Sequence, residues 1–203
     1  VWYLENVFYE TAGEIVHYLQ KNILHGNSIN NQLIKLGFWP GGDRDGNPFV
    51  TTQITLKVAD RLRTSIVKCY YQEIRRLKRK LTFFEVDVLI AELEYKLYRS
   101  VFYSKGEIYI TLEEFKAQLL KIKTILIERN QSLYLDELEA LLIKVNLFGF
   151  HFASLDIRQN SKIHDAVFKD VVQFYLNSNS NLFPNNYFEL SENEKFDVLA
   201  KVK

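Results

Sequence analysis

Apolar residues recur at helical spacing along most of this 203-residue chain, and that rhythm limits what it can fold into. Val7, Phe8, Ile15, Val16, Leu19 and Ile23 predict an opening helix that ends near Gly26. Ile66, Tyr70, Ile74, Leu77, Leu81 and Phe84 fall on one stripe of a long second helix. Val88, Leu89, Leu93, Leu97 and Val101 predict a third, closed near Gly106. Thr111 and Glu114 have capping-box spacing and start a fourth, whose inner face is Phe115, Leu119, Ile122 and Leu126. Ser132 is placed to cap the next, with Leu135, Leu138, Leu142 and Val145 inside, and Ser191 with Glu194 repeats the capping-box spacing near the end.

The rhythm breaks twice. From Phe148 to Arg158, Phe148, Phe150 and Phe152 alternate with Gly149, His151 and Ala153, the two-residue period of a strand. Continuing that phase puts Asp156 and Arg158 on one face and Leu155 and Ile157 on the other, with Gln159 within reach of either charge. The second break runs from Phe38 to Thr51. The fold class expected is therefore mainly α: one helical domain over residues 1–203, with one or two short strands near Phe38 and from Phe148 to Arg158.

Phe38 to Thr51 reads FWPGGDRDGNPFVT, with Gly41, Gly42, Asp43, Arg44, Asp45, Gly46, Asn47 and Pro48 between apolar flanks. Adjacent glycines open backbone conformations closed to residues with a Cβ, and Asn47 with Pro48 closes a second turn. The arrangement suits presentation of a fixed guanidinium, because arginine stays ionised and donates two parallel hydrogen bonds to a carboxylate or phosphate. Asp43 and Asp45 are candidates to orient Arg44. The competing reading is a solvated turn whose charges neutralise one another. A calcium loop fails on spacing: counted from Asp43, the places for the sixth-position glycine and twelfth-position glutamate of an EF-hand hold Pro48 and Ile54.

Charge points to no bulk partner. With 26 basic and 25 acidic residues, the formal net charge of +1 gives no field to draw the chain to nucleic acid or anionic lipid. The basic run Arg75, Arg76, Lys78, Arg79 and Lys80 sits off the apolar stripe and lacks interleaved aromatics, as a solvated helix face would. No apolar run is long enough to cross a bilayer. One cysteine, Cys69, excludes an internal disulfide and sits in a helical pattern as a small buried thiol. His17, His25, His151 and His164 show no metal-ligand spacing, and no P-loop, dinucleotide fingerprint or nucleophile elbow occurs.

The run GGDRDGNP, led by Trp39 and followed by Val50 and Thr51, resembles the glycine-rich signature of phosphoenolpyruvate carboxylases. Leu155, Asp156, Ile157, Arg158 and Gln159, with His164 beyond, resemble the LDIRQ segment downstream of that signature, with departures from the family pattern at Asn160 and Ile163. The resemblance implies carboxylation of phosphoenolpyruvate with bicarbonate to give oxaloacetate and phosphate, in a helix-wrapped eight-stranded β/α barrel. It implies that Arg44 contacts the substrate phosphate and is catalytic, with Asp156, Arg158 and Gln159 as further substrate-binding candidates. A Mg2+ or Mn2+ ion is implied, held outside this stretch. The family's histidine motif belongs upstream of Val1, and its metal carboxylates, lysine and glycine-arginine loop downstream of Lys203. The chain is therefore expected to be an internal fragment, inactive alone, of a cytoplasmic homotetramer that binds neither nucleic acid nor membrane. The alternative is an independent helical module that binds an anion or a partner without catalysis.

Overall fold

The computed structural model describes residues 1–25, 34–45, 47–103, 109–178 and 181–201. The expected helix stops at Gly26 and Gly106, and Gly46 of the turn, lie outside them. Two compact units form: Val1–Gly42 with Val50–Asp156, and Asp43–Phe49 with Ile157–Lys203.

Among the described residues, the first unit is built on five α-helices. Helix α1, Tyr9–Tyr18, lies between two wider π turns, Leu4–Phe8 and Leu19–Ile23; α2 is Thr52–Lys78, α3 Val86–Phe102, α4 Leu112–Arg129 and α5 Leu135–Phe148. Thr51 caps α2, its side chain accepting from the Ile54 amide at 3.4 Å, and Thr111 caps α4 by accepting from the Glu114 amide at 3.1 Å. In α2 the expected stripe is buried through Ile66, Tyr70, Ile74 and Leu77, and Leu81 beyond the helix joins it. Each such aliphatic side chain removed from water contributes about 1.5–3 kcal/mol. On α4, Phe115, Leu119, Ile122 and Leu126 are all buried, as the period requires.

Three local expectations need correction. Phe84 is 87% exposed, because α2 ends at Lys78 and the chain turns at Glu85, whose φ is +69°. On the opening helix the buried face is Leu4, Tyr9, Ala12, Gly13 and Val16, while Val7, Phe8, Ile15 and Ile23 face outward. No side chain caps α5: Tyr134, with φ +60°, precedes it, and Ser132 contributes only its carbonyl to the Leu135 amide.

Phe148 to Arg158 is not one strand. Phe148 ends α5, Gly149 turns the chain at φ +53°, and Phe152 has φ +65°, so residues 149–153 form a tight turn. Phe148, Phe150 and Phe152 are nevertheless all buried, packed around Tyr9, Tyr70 and Phe115. The strands are short: β1 is Gly37–Phe38 and β2 Ser154–Leu155, paired in parallel with Gly37 opposite Ser154 and Phe38 opposite Leu155.

The second unit carries α6, Ser161–Asn177, a 3-10 turn at Tyr187–Glu189, and α7, Glu192–Lys201. Asn160 caps α6, accepting from the Lys162 amide at 2.9 Å. Val172, Phe183 and Tyr187 form its small core, with Phe168 edge-on to both rings. At the start of α7 the Ser191 amide and hydroxyl both donate to the Glu194 carboxylate, at 2.9 and 2.6 Å, which realises the glutamate half of the expected box.

Candidate functional site

In the first unit, β1 and β2 bring the two sequence motifs side by side. The Ser154 amide donates to the Leu36 carbonyl at 2.8 Å, and the Asp156 amide to the Phe38 carbonyl at 3.1 Å. Immediately after β1 the chain reverses, the Gly42 amide donating to the Trp39 carbonyl at 3.1 Å. Pro40 and Gly41 fill the centre of that turn, and Gly41 has φ +85°, the pairing a type II turn prefers. A Cβ on Gly41 would sit 2.5 Å from Val58 Cγ2. On Gly42 it would lie 1.9 Å from the Asp156 carbonyl oxygen. Both glycines are thus required, the first by conformation and packing, the second by close approach to the LDIRQ backbone. Thr55, on the first turn of α2, donates its hydroxyl to the Gly41 carbonyl at 2.8 Å.

In the second unit the pairing of the motifs continues. Asp43 and Arg158 form a parallel bridge, and the Arg44 amide donates to the Arg158 carbonyl at 2.8 Å. The turn then closes on itself: the Asn47 amide donates to the Arg44 carbonyl at 3.2 Å, and the Phe49 amide to Asn47 Oδ1 at 3.0 Å. Asp43 Oδ1 accepts from the Asp45 amide at 3.4 Å, so this carboxylate braces the backbone on either side of Arg44. Arg44 and Asp43 are half-buried, and Asp45 is exposed. Arg158 is exposed, while Gln159 is half-buried and accepts from the Asn160 amide at 3.0 Å. Asp156, in the first unit, is exposed, and Ile157, in the second, is 59% exposed rather than packed away. The backbone of Arg44 is thus held from both sides, and the guanidinium it carries is a group able to take an anion with two oxygens in one plane.

Among the described residues, no group of three or more His, Cys, Asp or Glu is placed to hold a metal ion. No helix among them is long and apolar enough to cross a membrane. The basic run is an ion-paired surface: Lys78 meets Glu94 at 2.5 Å, Arg75 the same carboxylate at 3.5 Å, and Lys80 meets Glu137 at 2.8 Å. Cys69 is buried, which pushes its thiol up to about 12, with Glu5 adding to the shift.

Two supporting groups had escaped sequence reasoning. Lys144 is 7% exposed and holds Glu10 at 2.5 Å and Glu73 at 2.8 Å, tying α1 and α2 to α5. It crosses α1 at Gly13, where a Cβ would come within 2.8 Å of Lys144 Cγ and Cε. A lysine inside the apolar run Leu141, Leu142, Ile143 and Val145 was the available signal. Tyr70, fully buried, donates its hydroxyl to the Gly149 carbonyl at 2.8 Å and so pins the turn that leads into β2.

Fold and site define a mainly helical chain in which a glycine-rich arginine turn is laddered onto an LDIRQ segment. The sequence profile described as Phosphoenolpyruvate carboxylase matches residues 1–101 and 89–202, and the chain belongs to the phosphoenolpyruvate carboxylase family. It is 30% identical over 211 residues to a phosphoenolpyruvate carboxylase of Nitrosomonas eutropha, covering 84% of this chain and 22% of that protein. With the Nitrosomonas europaea phosphoenolpyruvate carboxylase the identity is 29% at the same coverages. The chain thus spans 22% of the length of these curated relatives.

Proposed function

We propose that this chain is part of a phosphoenolpyruvate carboxylase that joins bicarbonate to phosphoenolpyruvate and releases oxaloacetate and phosphate. Family membership supports the reading, and the observation that carries it is the ladder from Arg44 to Arg158, which joins the backbones of both signature motifs. In this reading Arg44 contacts the phosphoryl oxygens of phosphoenolpyruvate. Phosphoryl transfer to bicarbonate shifts negative charge among oxygens, and a guanidinium fixed beforehand stabilises that charge without reorganising at the moment of reaction. Asp43 and Asp45 orient the turn, and Arg158, Asp156 and Gln159 are the remaining substrate-binding candidates.

In this reading a Mg2+ or Mn2+ ion would be held by carboxylates in other parts of a family-length chain. That chain would work as a cytoplasmic homotetramer, residues 1–203 being one helical piece around its barrel. The test is oxaloacetate formation by the full-length polypeptide that contains this sequence, followed by coupled reduction to malate. Product that requires both phosphoenolpyruvate and bicarbonate is expected. Its absence, with phosphoenolpyruvate still bound, would favour an anion-binding module without catalysis.

A further inference from the structure

We infer that Thr55 is a positioning residue for the Arg44 turn, acting through the carbonyl of Gly41. The inference rests on the anion-binding role proposed above for Arg44. Thr55 is 7% exposed, and its hydroxyl lies 2.8 Å from the Gly41 oxygen and 3.2 Å from the carbonyl oxygen of Thr51. A hydroxyl has one proton, and the shorter contact takes it. The bond is not a helix cap, since Thr51 already caps α2; it reaches from the helix across to the turn.

Its target is a peptide that the residue itself leaves free to turn. Gly41 has φ +85°, a conformation glycine shares with many others of similar energy, so the residue does not fix itself. Two contacts select this conformation from the rest. Val58, one helical turn beyond Thr55, closes on the Gly41 Cα, leaving no room for a Cβ. Thr55 fixes the direction of the carbonyl on the other side of the same residue. Gly42, next in the chain, must then meet the Asp156 carbonyl at a distance that admits no side chain. From Gly42 the chain passes directly to Asp43 and Arg44, so the peptide that Thr55 holds is the lead-in to the guanidinium.

The experiment uses the full-length polypeptide with Thr55→Val, Thr55→Ser and Arg44→Ala, each assayed for phosphoenolpyruvate kinetics and for backbone hydrogen exchange over residues 39–45. Thr55→Val keeps the shape of the side chain and loses the donor; Thr55→Ser keeps the donor. The expected result is a rise of about 10-fold in exchange of the turn and in KM for phosphoenolpyruvate with Thr55→Val, kcat changing less, and values within about 3-fold of the parent with Thr55→Ser. Unchanged exchange in Thr55→Val, or a Thr55→Ser variant as impaired as Thr55→Val, would overturn the inference. Full activity in Thr55→Val beside a crippled Arg44→Ala would also overturn it, leaving the Arg44 reading intact. Full activity in Arg44→Ala would instead overturn the Arg44 reading. If Thr55→Val does not fold, Thr55→Ala serves as the donor-free variant, with the same outcomes.

Discussion

At the residue scale the site depends on what is missing from two side chains. Gly42 can approach the Asp156 carbonyl only because it has no Cβ, since one would stand 1.9 Å from that oxygen. Gly42→Ala is therefore expected to destabilise the fold by about 1–3 kcal/mol through forced backbone shifts and to impair the site with it. Denaturant melts beside kinetics would check this, and a variant with both unchanged would contradict the close approach. Cys69 supplies a second test. With its thiol raised to about 12 by burial, almost none is thiolate at pH 8, and the native protein should react with a disulfide reagent orders of magnitude more slowly than the unfolded chain. Rapid labelling of the native state would show that the thiol is not buried. That the two glycines matter was legible in their adjacency; the reason Gly42 matters was not. Its partner lies in a distant stretch of sequence, and close approach between backbones leaves no pattern in composition.

Among the elements, α5 is tied to its neighbours by Lys144, which meets Glu10 and Glu73 inside the first unit. Breaking a buried pair strands the remaining charges, so Lys144→Ala should cost about 3–5 kcal/mol, while Lys144→Met, which keeps the stem, should cost less than that only when Glu73→Gln accompanies it. Equilibrium unfolding of the single and double variants measures this coupling. Equal stability in all of them would remove Lys144 from the account. The start of α7 carries a pH-dependent cap. Bonds from the Ser191 hydroxyl and amide hold the Glu194 carboxyl below its ordinary value. A carboxyl lowered in the folded state stabilises above its unfolded pKa, and that contribution is lost as pH falls through the folded value. Protection of the α7 amides, taken relative to their intrinsic exchange rates at each pH, should accordingly fall in acid, and Ser191→Ala should flatten the dependence. These caps were readable because they are local, as at Thr111 and Ser191. Ser132 misled for the same local reason: tertiary packing set Tyr134 in a left-handed conformation ahead of α5 and left the serine side chain outside the cap.

On the scale of the whole molecule, the apolar period gave the helical class correctly, and the second strand came out much shorter than its alternation suggested. Phe148, Phe150 and Phe152 alternate in sequence but are all buried, because turns at Gly149 and Phe152 rotate them into one aromatic cluster. Several large side chains remain exposed, including Trp2 at 64%, Phe174 at 68% and Phe196 at 71%. Light scattering of the 203-residue chain alone should therefore show association that grows with concentration above its 24.0 kDa monomer mass. A strictly monomeric chain would indicate that these surfaces need no cover.

The central claim is that Arg44 binds the phosphate of phosphoenolpyruvate. It is tested most directly by kcat/KM for phosphoenolpyruvate in the full-length polypeptide with Arg44→Ala and Arg44→Lys. The account predicts a fall of about 10² or more for alanine and a smaller fall for lysine, which keeps the charge without the planar fork, with melting unchanged in both. Activity within twofold of the parent in Arg44→Ala would contradict it.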